Sequence, residues 1–184
     1  MTQPAFRECA TDDLGAARLA QLLDLCRACW PDGEFTTDDL DHALGGRHFL
    51  AEADGRVVSH VAVVPRTLEV DGRPVRAGYV EAVATLPRVR QQGLASRLMT
   101  DAGRHIEAAY ELGALSTDRP SFYERLGWRR WAGETWVRER DGVLTRTADE
   151  DAGIMVLVTP LTSITPPLTL REQLTCASRP GDVW

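Results

Sequence analysis

Apolar positions in residues 14–30 recur at helical spacing, with Leu22, Leu25, Cys26 and Cys29 on one face, so the pattern predicts a helix there. Thr11 precedes it beside an acidic pair and is the expected cap. A short strand over 5–9 comes first. Pro31-Asp32-Gly33 reads as a turn, and Thr37 as the cap of a second short helix ending at Gly45-Gly46. Residues 48–53, 56–70 and 75–85 read as three strands in an antiparallel meander, joined by the hairpin pairs Asp54-Gly55 and Asp71-Gly72. Over 92–112 the period is helical again: Leu94, Leu98, Met99, Ala102, Ile106 and Ala109 share one face, with Arg97, Asp101 and Arg104 opposite. Residues 114–116 form a short apolar strand, 120–126 a short helix with Pro120 in its first turn, and 128–137 and 154–158 two further strands. Residues 138–151 read as a polar connection, and 160–167 as irregular. The expected architecture is α+β, one mixed central β-sheet flanked by helices, with a parallel βαβ crossover.

At 184 residues the chain fits one domain, expected to span 1–184. Hydrophobic residues at 43% and charged residues at 26% are the balance of a folded globular protein. Lys+Arg is 21 and Asp+Glu is 27, a net charge of −6. That acidity disfavours nucleic acid as a partner and suits a cationic ligand. The sequence shows no bilayer-length apolar run and no basic-then-apolar leader, and its four cysteines are too few for a disulfide scaffold in a chain this size. A reduced, cytoplasmic protein without a membrane partner is expected.

Cys26, Cys29, His42 and His48 fit the spacing C-x2-C-x12-H-x5-H of a zinc finger. The context opposes a metal site. The cysteines fall on the apolar face of a helix, Gly45-Gly46 would break a helix carrying both histidines, and buried cysteine without metal is common. No metal is expected.

The junction before the long helix reads Val89-Arg90-Gln91-Gln92-Gly93-Leu94-Ala95-Ser96. R-x-x-G-x-A at a helix start leaves unpaired amides beside residues small enough for a phosphate to approach, and Arg88, Arg90 and Arg97 add positive charge. With Y-x-x-x-G-W from Tyr123 to Trp128, this resembles the GNAT N-acetyltransferase superfamily. The resemblance implies that Arg90, Gln91, Gln92, Gly93, Leu94 and Ala95 hold the pyrophosphate of acetyl-CoA. It implies too that the strand before the loop, through Val83, Ala84 and Thr85, binds the thioester and the pantetheine arm. An amide of that strand would polarise the acetyl carbonyl.

More specific strings are spread from Gly33 to the end: Gly33-Glu34-Phe35-Thr36-x-x-Asp39, His42-x-Leu44-Gly45-Gly46-x-His48, Gly78-Tyr79-Val80-Glu81, Tyr110-x-Leu112-Gly113-Ala114-Leu115-Ser116 and Gly181-Asp182-Val183-Trp184. Together they resemble the aminoglycoside 2'-N-acetyltransferases. The resemblance implies acetyl transfer from acetyl-CoA to the 2'-amino group of an aminoglycoside, causing resistance, by a homodimer. A polycationic substrate fits the acidic chain. Glu81 is two residues from Val83, which in a regular strand sets both on one face. By resemblance Glu81 takes the amine's proton through a water and Tyr123 protonates the leaving thiolate. The carboxylate of Trp184 is also assigned to the reacting group. The acceptor would be held by Glu34, Glu81, Ala82, Ser116, the run Asp149-Glu150-Asp151, Asp182 and Trp184.

The chain departs from that family at several points. Glu34 stands where the family has Asp. Cys176-Ala177-Ser178-Arg179 replaces C-D-aromatic-R, losing one carboxylate and one ring, and the segment from Ser116 to Tyr123 is shorter. These departures point away from the usual broad range and toward a smaller, less cationic aminoglycoside such as kasugamycin. The alternatives are a GNAT enzyme acting on a polyamine, peptide or amino sugar, and a non-catalytic acyl-CoA-binding regulator.

Overall fold

The computed structural model describes residues 3–30, 35–164 and 167–184. Its elements are β1 (Ala5–Ala10), α1 (Gly15–Cys29), α2 (Thr37–His42), β2 (Arg47–Ala53), β3 (Arg56–Val70), β4 (Arg73–Thr85), α3 (Leu94–Ala109), β5 (Leu112–Ser116), α4 (Pro120–Glu124), β6 (Arg129–Arg130), β7 (Thr135–Arg138), β8 (Leu144–Arg146), β9 (Ile154–Val158) and β10 (Leu174–Ala177). The class is α+β with a mixed sheet, as expected. The chain divides into two compact units, Met1–Val64 with Val80–Arg104, and Pro65–Tyr79 with His105–Trp184. β3, β4 and α3 each contribute residues to both.

In the first unit β1 pairs antiparallel with β2, and β2 with β3. α1 buries Leu22, Leu25 and Cys26 against Leu14, Phe35, Leu40, Leu50, Val57 and Ala84, which gives this unit its core. Asp54 and Gly55 both take positive φ, 51° and 74°, the conformation of a tight hairpin turn. Two expected caps are placed differently. Thr11 begins a 3-10 turn, Thr11–Asp13, and caps no α-helix: its hydroxyl instead accepts from the amides of Gly45 and Gly46. The cap of α2 is Thr36, whose hydroxyl accepts from the Asp39 amide while the Asp39 carboxylate accepts from the Thr36 amide, a reciprocal capping box. The turn expected at Pro31-Asp32-Gly33 lies outside the described residues.

In the second unit the strand order is β6-β9-β5-β4-β3-β10-β7-β8. β5 lies parallel to β4 and antiparallel to β9, so the sheet is mixed and α3 is the crossover between two parallel neighbours. Gly78 and Gly113 make the close packing possible: a β-carbon on Gly78 would sit 2.8 Å from the Tyr110 ring, and one on Gly113 2.9 Å from Leu157 and 3.1 Å from Ile106.

The single strand expected over 128–137 is two strands. β6 pairs with β9 and β7 with β10, and the chain changes partner between them, where the Trp131 amide donates to Ile154 and the Ala132 amide to Leu170. The polar connection after it contains β8 and a 3-10 turn, Ala148–Glu150. β10, parallel to β7, has no counterpart in the sequence reading.

Candidate active site

In the first unit the site is built on the end of β4 and the start of α3. Ala82 interrupts β4 with a left-handed φ of 48°, a conformation that disfavours any residue with a β-carbon and persists only where its surroundings hold it. The strict alternation that sets Glu81 and Val83 on one face is broken there: Glu81, Ala82 and Val83 are all half-buried, where a regular strand would alternate. Side chains grip the carbonyls that follow. His60 Nδ1 donates to Ala82 (2.9 Å), the Ser59 hydroxyl to Ala84 (3.0 Å), and both Cys29 Sγ (3.3 Å) and Arg90 Nε (3.2 Å) to Thr85.

A 3-10 turn, Pro87–Val89, leads to a loop in which Gln91 and Gly93 take φ of 64° and 77°. The Gly93 carbonyl accepts from Arg97, so α3 begins at Leu94, and the amides of Leu94, Ala95 and Ser96 precede any helical acceptor. Among the described residues nothing lies within 4 Å of where a β-carbon on Gly93 would stand. Open ground at the head of a sixteen-residue helix, with exposed Arg88 and Arg90 nearby in the chain, fits a diphosphate. Arg97 adds less than its charge suggests, because its Nε is paired with Asp101 at 2.9 Å and its guanidinium lies 5.3 Å from the Phe6 ring.

Three of the four residues of the zinc-like spacing have other roles, and the fourth, His42, is the last residue of α2. Cys26 is buried, which pushes its thiol up to about 12, and Cys29 donates to Thr85. His48 is bonded to Thr11 and His60. Among the described residues no group of three or more His, Cys, Asp or Glu side chains is placed to hold a metal ion.

In the second unit Ser116, Glu150, Asp149 and Asp182 come together. Glu150 is half-buried, and burial together with the charges of Asp182 and Asp149 raises its carboxyl, against a hydrogen bond from Ser116. Asp151, next in the chain, does something else. Its Oδ1 accepts from the Thr135 amide (2.9 Å), the Thr135 hydroxyl (2.8 Å) and Arg146 Nη1 (2.8 Å), and its Oδ2 pairs with Arg146 Nη2. The Arg146 guanidinium holds its carboxyl down at about 2. Asp151 therefore ties β7 to β8 and is not spare for a ligand, a correction to the reading of the whole acidic run as acceptor-binding. Glu34 lies outside the described residues.

Tyr123 is buried at the end of α4, its ring edge-on to Phe122 and Trp128, and burial pushes its hydroxyl up to about 12. The C-terminal residues are anchored. Trp184 is 2% exposed, its indole donates to the Thr147 hydroxyl (3.0 Å), and its amide donates to Asp182 Oδ1 (3.2 Å). Arg66 Nη2 donates to the Val183 carbonyl (2.9 Å) and Arg179 Nε to the Asp182 carbonyl (2.6 Å).

Residues 13–131 match the family of the acetyltransferase (GNAT) domain. Over 155 residues, 83% of this chain and 78% of the relative, the sequence is 41% identical to an aminoglycoside 2'-N-acetyltransferase of Mycolicibacterium fortuitum. This chain belongs to that family. Among solved structures, the GNAT acetyltransferase YhbS of Escherichia coli in complex with CoA has a TM-score of 0.66 at 16% identity, covering 95% of this chain and 89% of its own. A GNAT acetyltransferase of Brucella melitensis in complex with acetyl-CoA has a TM-score of 0.61 at 15% identity, covering 95% and 96%. At such identities the two structures speak for the fold alone.

Several residues of this acetyltransferase's site carry no sequence signal. Arg66 and Arg179 read as ordinary strand and loop cations, yet both lie over the buried Tyr79 ring, at 4.4 and 6.0 Å, while holding the terminal backbone. Ser59, His60 and Thr147 read as unremarkable polar positions. Only the pairing of strands distant in the chain brings them to their partners.

Proposed function

We propose that this enzyme transfers the acetyl group of acetyl-CoA to the 2'-amino group of an aminoglycoside, directly in a ternary complex, and so confers resistance. One observation carries the reading: Ser116, Asp149, Glu150 and Asp182 come together, and Glu150 is raised first by its burial and then by the two neighbouring acids, so this cluster gains from a polycation. The 41% identity to an aminoglycoside 2'-N-acetyltransferase supports the choice of polycation. The whole of 1–184 acts as one N-acetyltransferase domain.

Acetyl-CoA supplies the thioester. Arg90, Gln91, Gln92, Gly93, Leu94 and Ala95 bind its diphosphate, and Val83, Ala84 and Thr85 line its pantetheine arm. The Val83 amide donates to the acetyl oxygen as negative charge develops there. Glu81 accepts the proton that the amine loses as its nitrogen bonds to the acetyl carbon, through a water. Tyr123 donates a proton to the sulfur as the carbon–sulfur bond breaks. Its high pKa keeps that proton in place until the thiolate forms. Ser116, Asp149, Glu150, Asp182 and the Trp184 carboxylate hold the acceptor's ammonium groups, with Glu34 and Ala82 as further contacts.

Ala177 and Ser178 stand where the resembling family has a carboxylate and a ring, which favours a smaller, less cationic acceptor such as kasugamycin. The four cysteines are free thiols, consistent with a cytoplasmic enzyme, and no helix among the described residues is long and apolar enough to cross a membrane. A homodimer is proposed from the family resemblance. A thiol-release assay with acetyl-CoA tests the reading against a panel of aminoglycosides that includes kasugamycin, with spermidine and a peptide amine as controls. CoA release with an aminoglycoside and not with the controls is expected. Release with spermidine or the peptide alone would overturn the substrate assignment.

A further inference from the structure

Two buried histidines have no part in the reaction proposed above. His48 in β2 and His60 in β3 are fully buried, and their rings stack with centroids 5.2 Å apart. They form one connected line of hydrogen bonds. The Thr11 hydroxyl meets His48 Nε2 at 2.8 Å, His48 Nδ1 meets His60 Nε2 at 2.9 Å, and His60 Nδ1 meets the Ala82 carbonyl at 2.9 Å.

The chemistry of the last partner sets the direction of the line. A carbonyl oxygen only accepts, so His60 Nδ1 carries a hydrogen. In a neutral ring His60 Nε2 is then bare and accepts from His48 Nδ1–H. His48 Nε2 is bare in turn and accepts from the Thr11 hydroxyl. The Thr11 oxygen accepts from the Gly45 and Gly46 amides, so its lone pairs are used. Its one hydrogen has two acceptors in reach, the Gly46 carbonyl at 3.4 Å and His48 Nε2 at 2.8 Å, and the shorter contact is to His48. Burial lowers His48 to about 4 and His60 to about 3, so both rings are neutral at pH 7, as a one-way line requires.

The line ends on the left-handed residue of β4. The carbonyl of Ala82 and the amide of Val83 belong to one peptide group, which is planar, and in its trans form the oxygen and the amide hydrogen point in opposite directions. Whatever fixes the direction of the Ala82 oxygen therefore aims the Val83 N–H. A hydrogen bond accepted by a carbonyl also polarises its own peptide group and strengthens its amide as a donor.

We propose that Thr11, His48 and His60 are a positioning relay that aims and polarises the Val83 amide toward the acetyl carbonyl. This deepens the functional reading above and rests on it. Removing one oxyanion donor outright typically costs about 10²–10³-fold in kcat, and a donor that is kept but misaimed costs less. His60→Leu, which leaves the Ala82 oxygen without its donor, is therefore expected to lower kcat by roughly 10- to 100-fold while the affinity for acetyl-CoA is unchanged. His60→Asn places a side-chain amide where Nδ1 was and is expected to recover most of that loss.

Nitrogen-15 NMR of the unmodified protein and of His60→Leu tests the relay without turnover. Both rings are expected to carry hydrogen on Nδ1 and none on Nε2 at pH 7, and the Val83 amide shift is expected to move in His60→Leu. An Nε2–H tautomer in either ring overturns the proposal, as does an active His60→Leu enzyme with unchanged kcat. If the unmodified enzyme transfers acetyl to no aminoglycoside, the substrate reading fails, and the tautomers with the Val83 shift still decide on the relay.

Discussion

Glu150 and Asp151 are adjacent carboxylates, and neutralising each should move stability in opposite directions. Asp151 is held at about 2 against an ordinary 3.8, chiefly by its hydrogen bonds from Arg146. At about 1.36 kcal/mol per pH unit that difference is worth about 2 kcal/mol. The side chain is 35% exposed, so solvent screening reduces it to roughly 1–2 kcal/mol. The folded pKa is depressed, so this stability is present above 3.8 and is lost as pH falls toward 2. Asp151→Asn should lower Tm at pH 7 by about 3–6 °C in a chain of this size, a difference that fades as pH falls below 4. Glu150 is the reverse. Its folded pKa is raised, by burial and then by Asp182 and Asp149, so at pH 7 its charge costs stability and Glu150→Gln should leave Tm unchanged or higher. If Glu150 holds an ammonium as proposed, the same change removes a charge-assisted hydrogen bond worth about 1.5–3 kcal/mol, so the aminoglycoside KM should rise roughly tenfold or more. Calorimetry and thiol-release kinetics on both variants decide the matter. A Glu150→Gln enzyme that loses as much Tm as Asp151→Asn, with KM unmoved, would show that Glu150 is structural and the cluster no cation site.

Three further outcomes are expected. Glu81→Gln should lower kcat by about 10²–10⁴-fold with little change in acetyl-CoA affinity; equal loss of both would make Glu81 a structural residue. A C-terminal tag should raise the aminoglycoside KM severalfold and leave acetyl-CoA binding alone, whereas Trp184→Ala, which empties a buried indole site, should cost roughly 3–5 kcal/mol of stability by urea unfolding. Identical kinetics for tagged and untagged enzyme would remove the tail from the site. The two histidines make stability depend on pH: both are depressed from 6.5, so the fold keeps them neutral, and stability is intact above 6.5 and lost as pH falls toward 4. The unfolding free energy from urea titrations should drop between pH 7.5 and 5, by up to about 2 kcal/mol per histidine, and a flat profile over that range would contradict their burial as neutral rings.

Much of this protein is decided locally and is legible in the chain. β3 at Arg56–Val70 and β9 at Ile154–Val158 have the expected bounds, because turn-forming pairs or continuous apolar runs delimit them. The crossover helix and the loop before it are equally local, since a helix start and its small residues are neighbours in sequence. Contacts between distant segments are another matter. β10 is four residues without a distinctive period, and it becomes a strand only because β3 and β7 offer it unpaired edges. The acidic run looks uniform in sequence, and only the positions of Arg146 and Thr135 on one side, and Asp182 and Ser116 on the other, divide Asp151 from Glu150. Period-two alternation implied one face for Glu81 and Val83, but the left-handed Ala82 between them depends on its surroundings, among them a histidine twenty-two residues earlier in the chain. Patterning reports which face of an element is buried. It does not report what lies opposite, and the burial, charge and hydrogen bonds that give these site residues their chemistry come from there.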